Sequence, residues 1–288
     1  MKQSFWLITF LLSALPSLSF AQELASVALA PDAIVAPNGA SFVIESRAAQ
    51  NRIRKARTHL SSSASAPSRL EELNASQIAL LEKLNRIDGP RLKRLNAVVM
   101  PAGWADDELI FSPFPQEYGW AASTPQTIVV DQAAQAFGAY EFGQLVRWGP
   151  VSTGEGGKTP AGLFELSWRS RGHTSSVDPS WYLEWYFNFL PTRGIAFHQY
   201  SLPGRAGSHG CVRLLQRDAE WLYNWGHDGT DAEATTVIVQ GCPDASKPWQ
   251  SADFLRTGIS LQESPSPTMI ECTGSSGAAA SSSRKTVR

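Results

Sequence analysis

A surplus of charge of either sign is missing from this sequence. Its 288 residues hold 25 Lys and Arg against 26 Asp and Glu, a formal net charge of −1, which supplies no broad basic field and speaks against nucleic acid or anionic lipid as a partner. Long apolar runs are missing too, except at the start. Phe5 to Leu15 is almost continuously apolar, follows Lys2, and leads to Ser19-Phe20-Ala21. This reads as a secretory signal peptide over residues 1–21, cut after Ala21, because the run falls well short of the ~20 residues that a bilayer span requires. No cysteine lies near the cut, so nothing suggests a lipid anchor, and the mature chain is expected to work outside the inner membrane with no membrane span.

Cysteine is scarce, and its count of three is odd. An oxidising compartment tends to pair thiols, which leaves one over. Cys242 and Cys272 sit near the C-terminus in Pro- and Ser-rich context and are the expected pair. Cys211, within Ser208-His209-Gly210-Cys211-Val212-Arg213, is then the free thiol. His198, His209 and Cys211 are all zinc-ligand types, yet no carboxylate or fourth cysteine is spaced to complete a closed site. No metal is expected.

Residues 22–67 mix short apolar and basic stretches without periodicity and end in the Ser/Ala/Pro run Ser61 to Pro67, which predicts a flexible N-terminal segment and linker. Over 68–95, Leu70, Leu73, Leu80, Leu81, Leu84 and Ile87 recur near helical spacing, broken by Asn74 and halted at Asp88-Gly89-Pro90; a short helical segment is expected, as two short helices or one bent one. Ile78 to Arg86, followed by Val98-Val99-Met100-Pro101, resembles the second half of a LysM carbohydrate-binding module. No first half is recognisable, and packing against the next domain is the expected role.

From 96 to 242 the sequence predicts a mainly β domain with a few short helices. Thr127 to Asp131, Gln135 to Tyr140 and Gln144 to Thr153 are β-type runs forming a meander around the turn at Glu141-Phe142-Gly143. Gly154 to Gly162, with four glycines and Pro160, reads as a mobile loop, and Leu163 to Trp168 as a strand. Trp181 to Phe189 holds six aromatic residues, either a buried core or a wall beside a cleft. Gly194 to Tyr200 and Thr235 to Gln240 are further strands, and Asp218 to Trp225 is a helix ended by Gly226. Residues 243–288 are expected to be a polar, largely disordered tail.

The chemistry centres on Cys211. In an extended Gly194 to Tyr200, side chains alternate, so Ala196, His198 and Tyr200 share a face opposite Ile195 and Phe197. Pro203, Gly204 and Gly207 let the chain reverse and bring His198 to Cys211. A thiol with an ordinary pKa near ~8.5 is mostly protonated at neutral pH, and an adjacent imidazole raises its thiolate fraction. Amides around Gly210 and Cys211 are candidates to hold an oxyanion, and a group near Ser208 is a candidate to fix the far nitrogen of His198. Arg213 projects on the same side as Cys211 and suits a substrate carboxylate.

Ser208 to Leu214, with His198 before it, resembles the active-site signature of L,D-transpeptidase catalytic domains of the YkuD type. The likeness runs over roughly residues 95 to 242 and includes Val151-Ser152-Thr153-Gly154 and Thr159-Pro160-Ala161-Gly162-Leu163-Phe164, although the spacing from His198 to Cys211 is shorter than is usual there. The resemblance implies a mixed, β-sandwich-like fold and a periplasmic enzyme acting on peptidoglycan stem peptides. Cys211 would be the nucleophile and His198 the base. Ser208, His209 and Gly210 would shape and orient the site, and Arg213 with Tyr200 would meet substrate. The thioester formed would pass to another stem, to a lysine of an outer-membrane lipoprotein, to a D-amino acid, or to water as in an L,D-carboxypeptidase. No cofactor is implied, and carbapenems are expected to acylate Cys211. The rival from another class is a noncatalytic wall-binding protein.

Overall fold

Nine strands build the central sheet of the protein, seen in a computed structural model that describes residues 33–46, 73–230, 232–244 and 251–272. In chain order the strands are β4 (Gln126–Asp131), β5 (Ala136–Glu141), β6 (Gln144–Ser152), β7 (Gly162–Glu165), β8 (Arg169–Thr174), β9 (Tyr182–Leu190), β10 (Ile195–Gln199), β11 (Val212–Leu214) and β12 (Thr236–Gln240). Their order across the sheet is β7-β12-β4-β5-β6-β11-β10-β9-β8. Two neighbouring pairs, β12 with β4 and β10 with β11, are parallel. The sheet curls so that β7 comes up against β9, and the fold is mainly β and sandwich-like, with a few short helices.

Period-two alternation explains why the sheet curls around a core. Ile128 and Val130 of β4, Phe137 and Ala139 of β5, and Val237 and Val239 of β12 point inward, where they meet Phe187, Phe189, Phe197 and Val212 from the other half. The residues between them, Val129, Ala136, Tyr140 and Ile238, join a second core on the outer face. Strands buried on both faces read as unbroken apolar runs, as β4 and β12 do.

The outer core is roofed by α1 (Ala75–Leu84). Asn74, which interrupts the leucine pattern, caps this helix: its side chain accepts from the Gln77 amide at 2.9 Å, and the Gln77 side chain accepts from the Asn74 amide at 3.0 Å. Leu80, Leu81 and Leu84 lie in the cluster with Tyr140 and Trp148, so the helical segment does pack on the sheet. Asp88, expected as a stop, is instead a corner. It caps α2 (Gly89–Leu92), and its other oxygen accepts from the Leu202 amide at 3.0 Å, which ties the helices to the β10–β11 connection.

Two segments expected to lack fixed structure are folded in part. Within 22–67, β1 (Ile34–Val35) and β2 (Ser41–Ser46) form a three-stranded sheet with β3 (Ala97–Pro101). Phe42 and Ala40 enter the outer core, but so short a run paired with residues over fifty positions away leaves no periodic signal. Within 243–288, beyond the expected helix α3 (Gln216–Trp225), α4 (Ala252–Thr257) is capped by Ser251, Ile259 is buried in the outer core, and Cys272 is bonded to Cys242. Strand β8 was also not expected; it is a polar edge strand that pairs only with β9. The predicted leader and the Ser61 to Pro67 linker lie outside the described residues. No helix among the described residues is long and apolar enough to cross a membrane.

Asn85 joins the helical segment to β3. Fully buried, it donates to the carbonyls of Leu81 and Val99 and accepts from the Val99 amide, each at 2.9 Å. Asn85→Ala leaves the buried amide and carbonyl of Val99 unpaired, while the Leu81 carbonyl keeps its bond from the Asn85 amide, and each unpaired group costs ~1–3 kcal/mol. Urea unfolding should therefore show a loss of about 3 kcal/mol, and a loss below about 1 kcal/mol would mean that water replaces the amide.

Candidate active site

The strand pair β10–β11 brings the chemistry together. Phe197 stands opposite Val212 and His198 opposite Arg213, so His198, Arg213 and the residue just before β11, Cys211, share one face of the sheet while Phe197, Val212 and Leu214 fill the core on the other. The connection between the strands is fixed by its neighbours. Ser152 Oγ donates to the Arg205 carbonyl at 2.8 Å, and the amides of Gly207 and Ser208 donate to the Thr153 carbonyl at 2.9 and 3.0 Å.

Burial sets the protonation of the imidazole. His198 is 3% exposed, and desolvation, followed by the Arg213 guanidinium, holds its pKa down to about 4, against the opposing pull of its hydrogen bond to Gln199. Nδ1 donates to the Gln199 carbonyl at 2.9 Å. A neutral ring with its proton there presents a bare Nε2, the tautomer a general base needs. The orienting group is thus the carbonyl of the next residue and not one near Ser208.

Cys211 is a half-buried free thiol. Desolvation pushes its pKa up, while the Ala196 amide and the Arg213 charge act in the opposite direction. Its Sγ lies 3.6 Å from the Gly194 carbonyl. The turn before it is held by Ser208, whose hydroxyl donates to the Cys211 carbonyl and accepts from the Gly210 amide at 3.0 Å. The Gly210 amide is thereby engaged inside the turn, which removes it as an oxyanion donor in this conformation. Gly210 itself has φ of +141°, a backbone state that L side chains rarely adopt.

A cleft of about 300 Å³ opens above this face. All seven residues singled out in the sequence line it: His198, Tyr200, Ser208, His209, Gly210, Cys211 and Arg213. The Arg213 guanidinium lies 4.8 Å from the centre of the Tyr200 ring, and His209 packs 5.5 Å from Trp181. The aromatic run 181–189 serves both of its expected uses. Trp185, Phe187 and Phe189 enter the core, whereas Trp181, Leu183 and Tyr186 wall the cleft. The change of face occurs at Trp185, whose φ is +57°. Asn188 and Arg193 also line the cleft and were missed; the alternation from Tyr186 was a usable signal for Asn188, and none pointed to Arg193. Among the described residues no three His, Cys, Asp or Glu side chains are grouped to hold a metal.

Residues 125–239 match the family model of the L,D-transpeptidase catalytic domain, YkuD. Over those residues the chain is similar to that catalytic domain. Solved structures similar to it include an L,D-transpeptidase from Stackebrandtia nassauensis, at 28% identity over 41% of this chain and 57% of that one, with a TM-score of 0.36. Another, from Mycobacterium smegmatis, is 21% identical over 41% of this chain and 59% of that one, with a TM-score of 0.34. A third, from Xylanimonas cellulosilytica, is 23% identical over 57% and 78%, with a TM-score of 0.40. The chain thus spans under two thirds of the length of the first two. No curated protein matches. Within the matched residues fall His198, Cys211 and every other cleft residue named here, whereas β1 to β3, α1, α2 and α4 lie outside them.

His198 stays neutral down to about pH 4 in the fold, against an ordinary value of 6.5. Between these values the unfolded chain binds more protons than the native one, so the stability held by the neutral ring is complete above pH 6.5 and is lost as pH falls towards 4. Urea midpoints followed from pH 7 to pH 4 should fall more steeply for the wild type than for His198→Gln. Parallel slopes would show that the ring is not held neutral.

Proposed function

We propose that this protein is an exported peptidoglycan L,D-transpeptidase with Cys211 as nucleophile and His198 as general base. The observation that carries this reading is the common cleft face on which a free thiol and a buried neutral imidazole lie, inside the L,D-transpeptidase domain. Nε2 of His198 takes the thiol proton, and the sulfur attacks the carbonyl of the third residue, diaminopimelate, of a tetrapeptide stem. A C–S bond forms, the C–N bond to the terminal D-alanine breaks, and the imidazolium returns its proton to the leaving amine. A thioester remains on Cys211 until an amine attacks it: that of another stem, of a lipoprotein lysine, or of a free D-amino acid.

The cleft suits such a donor. Its aromatic wall packs the stem, and Arg193 and Arg213 at its lining offer forks for carboxylates. Burial of the sulfur favours a neutral thiol and imidazole at rest, with proton transfer occurring as substrate binds, while Arg213 favours the thiolate once it forms. Work in the periplasm accords with the leader-like N-terminus and with the Cys242–Cys272 bridge.

Intact-mass measurement with meropenem tests the nucleophile: a covalent adduct is expected on the wild type and none on Cys211→Ala. His198→Ala should slow acylation by roughly 10²-fold or more, since general-base catalysis supplies ~10²–10⁴, and His209→Ala by much less; equal losses would move the base to another residue. Because the thiol is raised and unpaired with an imidazolium, the acylation rate should climb as pH rises through and beyond the ordinary thiol range. A flat profile from pH 5 to 9 would indicate a preformed ion pair instead. Incubation with defined tetrapeptide muropeptides separates the products by mass. A cross-linked dimer is expected, and loss of alanine alone would make the enzyme a carboxypeptidase.

A further inference from the structure

The C-terminal segment Met269–Cys272 lies outside the L,D-transpeptidase domain, yet it is built against the loop that borders the nucleophile. The Ile270 amide donates to the Ala161 carbonyl at 2.8 Å, and the Ala161 amide donates back to the Ile270 carbonyl at 2.9 Å. Cys272 is buried and covalently tied to Cys242, just beyond β12. The approach is close enough to dictate sequence: a Cβ on Gly157, where φ is +81°, would fall 2.4 Å from the Cβ of Cys272. Glu271 forms an ion pair with Arg193.

Two routes lead from this segment to the sulfur. Along the first, the loop it clamps carries Thr159, whose buried hydroxyl donates to the Gly210 carbonyl at 2.6 Å and accepts from the Gly154 amide at 2.7 Å. Along the second, Arg193 donates to the Lys158 carbonyl at 3.2 Å and directly precedes Gly194, whose carbonyl faces Cys211 Sγ. A loop with four glycines in nine residues has little of its own to hold it in one shape. Beyond its own short turn at Glu155–Gly157 and the bond from the Glu155 amide to the Ser208 carbonyl at 2.9 Å, its clamps are the hydrogen-bonded pair at Ala161, the contact at Gly157 and the ion pair at Arg193.

We propose that Met269–Cys272, pinned by the Cys242–Cys272 bridge, is a strap that positions the Cys211 turn, with Glu271 and Thr159 as positioning residues. The proposal rests on the reading of Cys211 as the nucleophile. Neither residue touches the reacting atoms: the strap fixes the loop, the loop fixes the Gly210 carbonyl and the Gly194 side of the cleft, and these fix the sulfur. Geometry at a reacting centre is costly to lose, since a displacement of ~1 Å reduces rates by up to ~10²-fold.

The test compares the wild type with Cys242→Ser/Cys272→Ser, Glu271→Gln and Glu271→Asp, all assayed well below their unfolding temperatures. Two readouts are taken: acylation by meropenem, and alkylation of Cys211, the single free thiol in every variant, by iodoacetamide from pH 6 to 10. The strap predicts about tenfold slower acylation in the double variant and about threefold in Glu271→Gln, with Glu271→Asp recovering at least half of the latter loss. It also predicts that the alkylation midpoint of the double variant moves down towards the ordinary thiol range as the turn loosens and the sulfur gains solvent. An unmoved midpoint in the double variant overturns the proposal. If the wild type takes up no acyl group at all, the transpeptidase reading fails instead, and the alkylation profile still decides the strap.

Discussion

Parallel strands β10 and β11 meet in a register that sets His198 beside Arg213, and the cleft chemistry depends on that ladder. Side chains alternate with period two, so a slip of one residue would turn the imidazole or the sulfur into the core and bring Phe197 or Val212 to the cleft. The core side enforces the register, because Phe197, Val212 and Leu214 are fully buried among residues from both halves of the sheet. The connection side enforces it again, through hydrogen bonds to Asp88 and Thr153 and from Ser152.

That same burial determines the electrical state of the site. An imidazole sealed against solvent stays uncharged, and a thiol partly removed from water resists ionisation. Arg213 acts on both: its charge disfavours a second cation on His198 and favours an anion on Cys211. Stacking on Tyr200 keeps the guanidinium near both groups. Both groups are therefore held towards their neutral forms, and a neutral thiol reacts more slowly with oxidants and alkylating agents than a thiolate does.

Much of this was legible in the sequence where a signal is local. The alternation around His198, the turn residues after it, the helix ended by Gly226, and the pairing of Cys242 with Cys272 all rest on near neighbours or on simple counting. What escaped depends on distant partners. β2 is six residues long, and its mate β3 lies beyond two helices. β8 is polar because it closes the sheet edge. The carbonyl that orients His198 belongs to Gln199, and no side-chain pattern marks a backbone oxygen. The face change at Trp185 arises from one residue of positive φ, which composition does not announce.

The shared outer core also bears on what can be separated from what. Trp148, Val129 and Tyr140 belong to the residues that match the L,D-transpeptidase family model, but the leucines of α1 that shield them from water do not. A chain trimmed to residues 125–239 would surrender that shield and lay bare a broad greasy face, of the kind that drives aggregation. In this protein, then, the boundary of family likeness is not a seam along which the molecule comes apart, and grafting or shortening it calls for keeping the helical roof with the sheet.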